Sequence, residues 1–205
     1  FGAKAKVSDT LNATFEMGLK ETNRAARGDR TNVQTEEVYL RLAYGDWNFG
    51  AGSLRVGKDY TPGTFLLYTN MVADIGDGGD AVFLVGGLPY IGRQPQIKLT
   101  FGGFQFALIE PNTGTSSTVP AVGTFVDDVD YVLPRMEAAF QFNSPMISFR
   151  PVVGYQAYDA VARLDTNADG VDDDEQEESV ESWLFGIGAQ MRLDPIYVNA
   201  TASYM

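Results

Sequence analysis

The densest run of oxygen-bearing side chains in this sequence is Asp165-Thr166-Asn167-Ala168-Asp169-Gly170-Val171-Asp172-Asp173. Oxygen ligands at positions one, three and five, followed by a glycine for the sharp turn, make up the first half of a calcium loop. The acidic ligand usual at position twelve is Gln176 here, and no helical periodicity flanks the run, so an EF-hand is not supported. One expectation is a calcium half-site of Asp165, Asn167 and Asp169, closed by Asp173 or Glu175. The other is a solvated acidic external loop that repels polyanions and holds cations diffusely. The surrounding segment, 159–181, carries ten acids against Arg163 alone, nine of the chain's twelve net negative charges.

Histidine and cysteine are both absent. Their absence removes the usual general base, the thiolate and the common zinc ligands, so neither a catalytic triad nor a zinc hydrolase is expected. The expected protein is not an enzyme and requires no cofactor. A net charge of -12 also argues against nucleic acid as a partner, because phosphates call for a basic surface.

The elements that position the remaining charges show in the period of the pattern. In Ala13-Thr14-Phe15-Glu16-Met17-Gly18-Leu19-Lys20, apolar and polar side chains alternate, which is the period of a β-strand with two different surroundings. Similar segments are expected at 1–8, 13–21, 37–44, 48–58, 93–101, 104–110, 131–142, 146–158, 182–193 and 196–205. Their connections alternate between short turns, such as Gly45-Asp46, Gly102-Gly103 and Asp194-Pro195, and long ones at 22–35, 59–92, 111–130 and 159–181. An antiparallel up-and-down transmembrane β-barrel gives this alternation, whereas Greek-key sandwiches usually break it. No stretch approaches the ~18 unbroken apolar residues of a membrane-crossing helix.

Read strand by strand, the outward face is Val38, Leu40, Leu42 and Tyr44; then Ile97, Leu99 and Phe101; then Met136, Ala138, Phe140 and Phe142. The last two strands add Trp183, Phe185, Ile187, Ala189 and Met191, and Ile196, Val198, Ala200, Ala202 and Tyr204. None of these is charged, and aromatics fall near the strand ends, as an interfacial girdle requires. The opposite face carries Lys4, Lys6, Lys20, Arg41, Arg55, Lys98, Arg135, Arg150 and Arg192 against Glu16 and Glu137. A sandwich core would show the same alternation, so a calcium-dependent surface β-sandwich adhesion module is the rival from another class.

Several stretches resemble a known family. The run from Phe1-Gly2-Ala3-Lys4-Ala5-Lys6 to Phe15-Glu16-Met17 resembles the second and third strands of Gram-negative general diffusion porins. Val38-Tyr39-Leu40-Arg41-Leu42, followed by Gly52-Ser53-Leu54-Arg55-Val56-Gly57-Lys58-Asp59-Tyr60-Thr61-Pro62, is similar to their fourth and fifth strands. Residues 57–62 are the most specific part. The resemblance implies a sixteen-stranded barrel, of which this chain supplies about ten strands, from the second to the eleventh. The chain then reads as a portion of a longer polypeptide, the alternative being a smaller barrel in another register.

The resemblance further implies that 59–92 is a constriction loop folded into the lumen. A basic ladder of Lys4, Lys6, Arg41, Arg55 and Lys98 would face Asp74, Asp77 and Asp80 on that loop. Opposed charges across a narrow aperture produce a transverse field that orients polar solutes. The apolar runs at 65–68 and 81–85 would pack inside the barrel, unless they form a further hairpin through Gly78-Gly79. By the same resemblance the protein is a homotrimer in the bacterial outer membrane, in contact with lipid and lipopolysaccharide. It would pass small hydrophilic solutes and ions by passive diffusion. A more selective channel on the same fold is the nearer alternative.

Overall fold

The structure is a computed structural model, which describes residues 1–24, 33–64, 92–111, 128–131, 133–164 and 174–204. Its strands are β1 (Gly2–Lys6), β2 (Leu11–Arg24), β3 (Val33–Asn48), β4 (Ser53–Tyr60), β5 (Arg93–Phe101) and β6 (Phe104–Ile109). They continue as β7 (Asp128–Asp130), β8 (Arg135–Phe140), β9 (Phe142–Asn143), β10 (Ile147–Leu164), β11 (Asp174–Leu193) and β12 (Ile196–Tyr204). All lie in one antiparallel sheet, ordered β1-β2-β3-β4-β5-β6-β8-β10-β11-β12, with β7 and β9 each paired to β10. Every neighbour along that path follows in sequence, which is the up-and-down order expected from the alternation of connections. A sandwich needs a second sheet over the apolar face, and all the described strands belong to a single sheet.

Burial in this sheet is the reverse of that in a water-soluble protein. Lys98 and Glu137 are 6 % and 1 % exposed, whereas Val56 and Ile97, on the opposite face, are about half exposed. On β11 the outward row is Trp183, Phe185, Ile187, Ala189, Met191 and Leu193, whose large members are all 43–50 % exposed. That row runs about 33 Å along the strand at about 3.3 Å per residue. At the tilt of about 40° usual for transmembrane barrel strands, such a row would span about 25 Å of height, the usual height of their apolar band. Aromatic clusters mark the two ends. Trp47 and Phe101 both lie 5.6 Å from Phe49, and Phe142 stacks on Phe149 at 4.9 Å, all at the short-turn end. Tyr155 and Trp183, 4.5 Å apart, lie toward the other end.

Three details differ from the sequence expectation. Glu16 opposes Leu42 but Met17 opposes Leu40, so Arg41 is the extra residue of a β-bulge. One inserted residue reverses the in-and-out sense of everything beyond it. Val38 and Leu40 stand outward as expected, but Leu42 and Tyr44 turn to the polar face. There the Tyr44 ring lies 4.2 Å from the Arg55 guanidinium. Gly45-Asp46 is not a turn. β3 continues to Asn48, and the chain reverses at 49–52, where Phe49 N–H donates to the Gly52 carbonyl at 3.1 Å.

The third difference is in the acidic segment 159–181, which is strand at both ends. Asp159 to Leu164 on β10 pairs with Ser179 to Asp174 on β11, and Ser179 Oγ donates to Asp159 Oδ1 at 2.6 Å. Charged side chains do not prevent pairing here, and the hairpin continues the β10 and β11 ladder beyond the row of outward apolar residues. β7 adds to it by pairing with residues 159–161, and Val129, Tyr158 and Val180 pack around Ala160.

Gly57 explains why the most specific stretch of the resemblance contains a glycine. Its φ is +128°, and a Cβ there would strike the Ala43 carbonyl and lie 2.8 Å from Tyr44 Cα. Only glycine allows β3 and β4 to approach this closely beside the Tyr44 and Arg55 pair.

Candidate functional site: the polar inner wall

Residues paired directly across an antiparallel ladder share a face. Following the register inward-facing residue by residue gives a row across six strands: Asp46 on β3, Arg55 on β4, Lys98 on β5, Ala107 on β6, Glu137 on β8 and Gly154 on β10. Two cations, Arg55 and Lys98, stand directly opposite each other in this row, which alone would be repulsive. Asp59, two pleat repeats further along β4, resolves the conflict. Its Oδ2 accepts from Lys98 Nζ at 2.5 Å and from Arg55 Nη1 at 2.7 Å. Arg55 Nη2 reaches the second acid, Asp46 Oδ2, at 2.6 Å.

The same side chains hold the chain where it leaves β4. Gln96 donates to the Asp59 carbonyl at 2.7 Å, and Lys98 Nζ donates to the Tyr60 carbonyl at 3.0 Å. Thr61 N–H donates to the Gly92 carbonyl at 3.4 Å, so both ends of the 61–92 connection leave the sheet together. Pro62 is fully buried. Around it the inner wall is apolar and buried at Ala107, Ile109, Ala139, Val152 and Leu184. Toward the short turns the wall becomes polar again and bounds a cavity of about 770 Å³ lined by residues such as Gln105, Gln141, Ser148, Arg150 and Arg192.

The five basic residues expected as a ladder all lie on the inner side of β1, β3, β4 and β5, but only Arg55 and Lys98 come together. Lys6 is exposed and pairs with Asp9 of its own turn at 2.7 Å. Lys4 is exposed on β1, in register with Thr14. Arg41, at the bulge, pairs with Glu16 on β2 and lies 3.3 Å from the Tyr39 hydroxyl. Cations and acids are therefore interleaved on the wall itself. Asp74, Asp77 and Asp80 lie outside the described residues, as do Asp165, Asn167, Asp169 and Asp173.

Asp46 and Asp59 are not among the expected site residues, because the sequence pattern places one in a turn and the other at the start of a loop. Counting in twos from Arg55 through Gly57 places Asp59 inward, so the signal was present in the sequence. Asp46 needed the true end of β3, which a Gly-Asp pair obscures.

The sequence matches no protein-family model and no curated protein. Among solved structures the chain is similar to the outer membrane channel DcaP of Acinetobacter baumannii, with a TM-score of 0.60 and 17 % sequence identity. The likeness covers 98 % of this chain and 49 % of that one, so this chain spans about half the length of the channel it matches. It does not single out the general diffusion family among porin-like proteins. The likeness is one of fold, an antiparallel up-and-down β-sheet like that of a porin-like barrel.

Proposed function

We propose that this chain belongs to an outer-membrane channel that passes small hydrophilic solutes and ions by passive diffusion, without catalysis. One observation carries the reading: ion-paired side chains are buried on one face of the sheet while large apolar side chains are exposed on the other. Lipid outside and a water-filled lumen inside make that arrangement favourable, and water on both sides does not. The likeness to a solved outer membrane channel supports it. Segment 59–92 is proposed as the constriction, with Asp74, Asp77 and Asp80 facing the lumen, and the inward course of 61–63 supports this. A homotrimer in contact with lipopolysaccharide, and calcium held on the 165–173 loop, belong to the same proposal.

Arg55, Lys98, Arg41 and Arg135 are each matched by an acid, which leaves little uncompensated charge around these four positions. Selectivity is therefore expected to be weak, with a cation-to-anion permeability ratio within about threefold of one. Single-channel recording in planar bilayers under a salt gradient tests both claims. Stable ohmic steps arriving in threes, with a small reversal potential, are expected. A protein that gives no steps and stays in solution without detergent contradicts the channel. The cavity beside Arg150 and Arg192, whose lining among the described residues is polar and basic, favours, as a second reading, a solute-selective channel. Conductance that saturates with one solute distinguishes it from simple diffusion.

A further inference from the structure

We propose that Glu137 and Arg150 are positioning residues that fix the course of the chain leaving β4 and thereby set the width of the aqueous passage. This rests on the channel reading above. Two groups of the segment after β4 are caught from strands three and four places away in the sheet. Gly63 N–H donates to Glu137 Oε2 on β8 at 2.7 Å. The Pro62 carbonyl accepts from Arg150 on β10, at 2.9 Å from Nη2 and 3.3 Å from Nε. Strands are spaced about 4.8 Å apart, so β8 and β10 lie about 14 and 19 Å from β4 measured along the sheet. The chain therefore crosses the inner face at Pro62 and Gly63 instead of continuing above the rim of β4.

Both latch residues are themselves held. Glu137 is 1 % exposed and forms an ion pair with Arg135 Nη2, 2.9 Å from its Oε1. Arg150 Nη2 also donates to Gln105 Oε1 at 2.7 Å, which fixes the guanidinium plane toward Pro62. Hydrogen bonds to ionised groups in a poorly hydrated site are about twice as strong as neutral ones and directionally specific. The pairing of β4 with β5 and the Asp59 cluster already hold the end of β4. The two distant contacts are not needed for that. What they add is a direction for the backbone across the lumen.

Glu137→Ala and Arg150→Met variants of the full protein, recorded in planar bilayers with polyethylene glycols of graded size, test the proposal. Each is expected to raise single-channel conductance by about 1.5-fold and to admit larger polymers, as a wider aperture does. Glu137→Gln keeps an oxygen acceptor for Gly63 N–H and is expected to stay near the wild-type conductance and cutoff. Folding is checked by the heat-modifiable gel mobility of a closed barrel. Should the Glu137→Ala variant fail that check, the Arg150→Met variant decides the matter. Folded variants with unchanged conductance and cutoff overturn the latch while leaving the channel intact. A wild-type protein without steps overturns both.

Discussion

Replacing Asp59 with alanine is expected to destabilise the folded protein by about 3–5 kcal/mol. Asp59 is 5 % exposed, and its single Oδ2 serves both Lys98 and Arg55. Without it Lys98, 6 % exposed, keeps among the described residues the Tyr60 carbonyl as its acceptor, and two cations remain opposite each other on one face. Removing one partner of a buried pair leaves an uncompensated charge, which costs far more than the intact pair contributes. Adding Lys98→Met to the Asp59→Ala variant removes that charge and should recover part of the loss, with a coupling of about 1–3 kcal/mol. Urea unfolding from lipid vesicles measures Asp59→Ala, Lys98→Met and the double variant. A loss below about 1 kcal/mol for Asp59→Ala would mean that these groups are ordinary solvated positions.

Changing Ile187 to arginine is expected to cost about 2–4 kcal/mol, although Ile187 is already 47 % exposed. In a water-soluble protein a substitution at such a half-exposed site would usually fall within about 0.5 kcal/mol of neutral. The difference comes from the medium. Ile187 pairs with Ala202 in the middle of the apolar row, and a guanidinium there must enter hydrocarbon. Thr201 is the matched control, because it pairs with Gly188 on the inner face. Thr201→Arg is expected to cost less than about 1 kcal/mol, since charge is tolerated in a wet lumen. Equal tolerance at both positions would remove the lipid from the account.

Period-two alternation made most of this fold legible. Trp183 through Met191 and Ile196 through Tyr204 could be assigned to a face from their order alone, because nothing interrupts the pleat of β11 or β12. β3 was different. The bulge at Arg41 leaves no mark in residue types, and it moved Leu42 and Tyr44 from one face to the other. The acidic hairpin misled in another way: Asp and Glu are poor strand formers by composition, yet 159–164 and 174–179 pair throughout. At the site, the basic residues were recognisable as inward, but their acids were not. Asp46 and Asp59 sit where strand ends meet glycine-rich turns, and strand ends are set by pairing partners that a local pattern does not contain. The Glu137 and Arg150 contacts join residues 74 and 88 positions apart, beyond the reach of any local signal.

These 205 residues contain no cysteine, so single cysteines placed along β12 report their own surroundings. One at each position from Val198 to Ser203, in protein reconstituted into vesicles, tests the two-sided wall most directly. Asn199, Thr201 and Ser203 face inward, in register with Gln190, Gly188 and Gly186, whereas Val198, Ala200 and Ala202 face outward. Cysteines at 199, 201 and 203 should react with a membrane-impermeant maleimide. Those at 198, 200 and 202 should be protected until detergent replaces the bilayer. Uniform reactivity across the six positions, or the opposite alternation, would contradict a sheet with water on one face and lipid on the other.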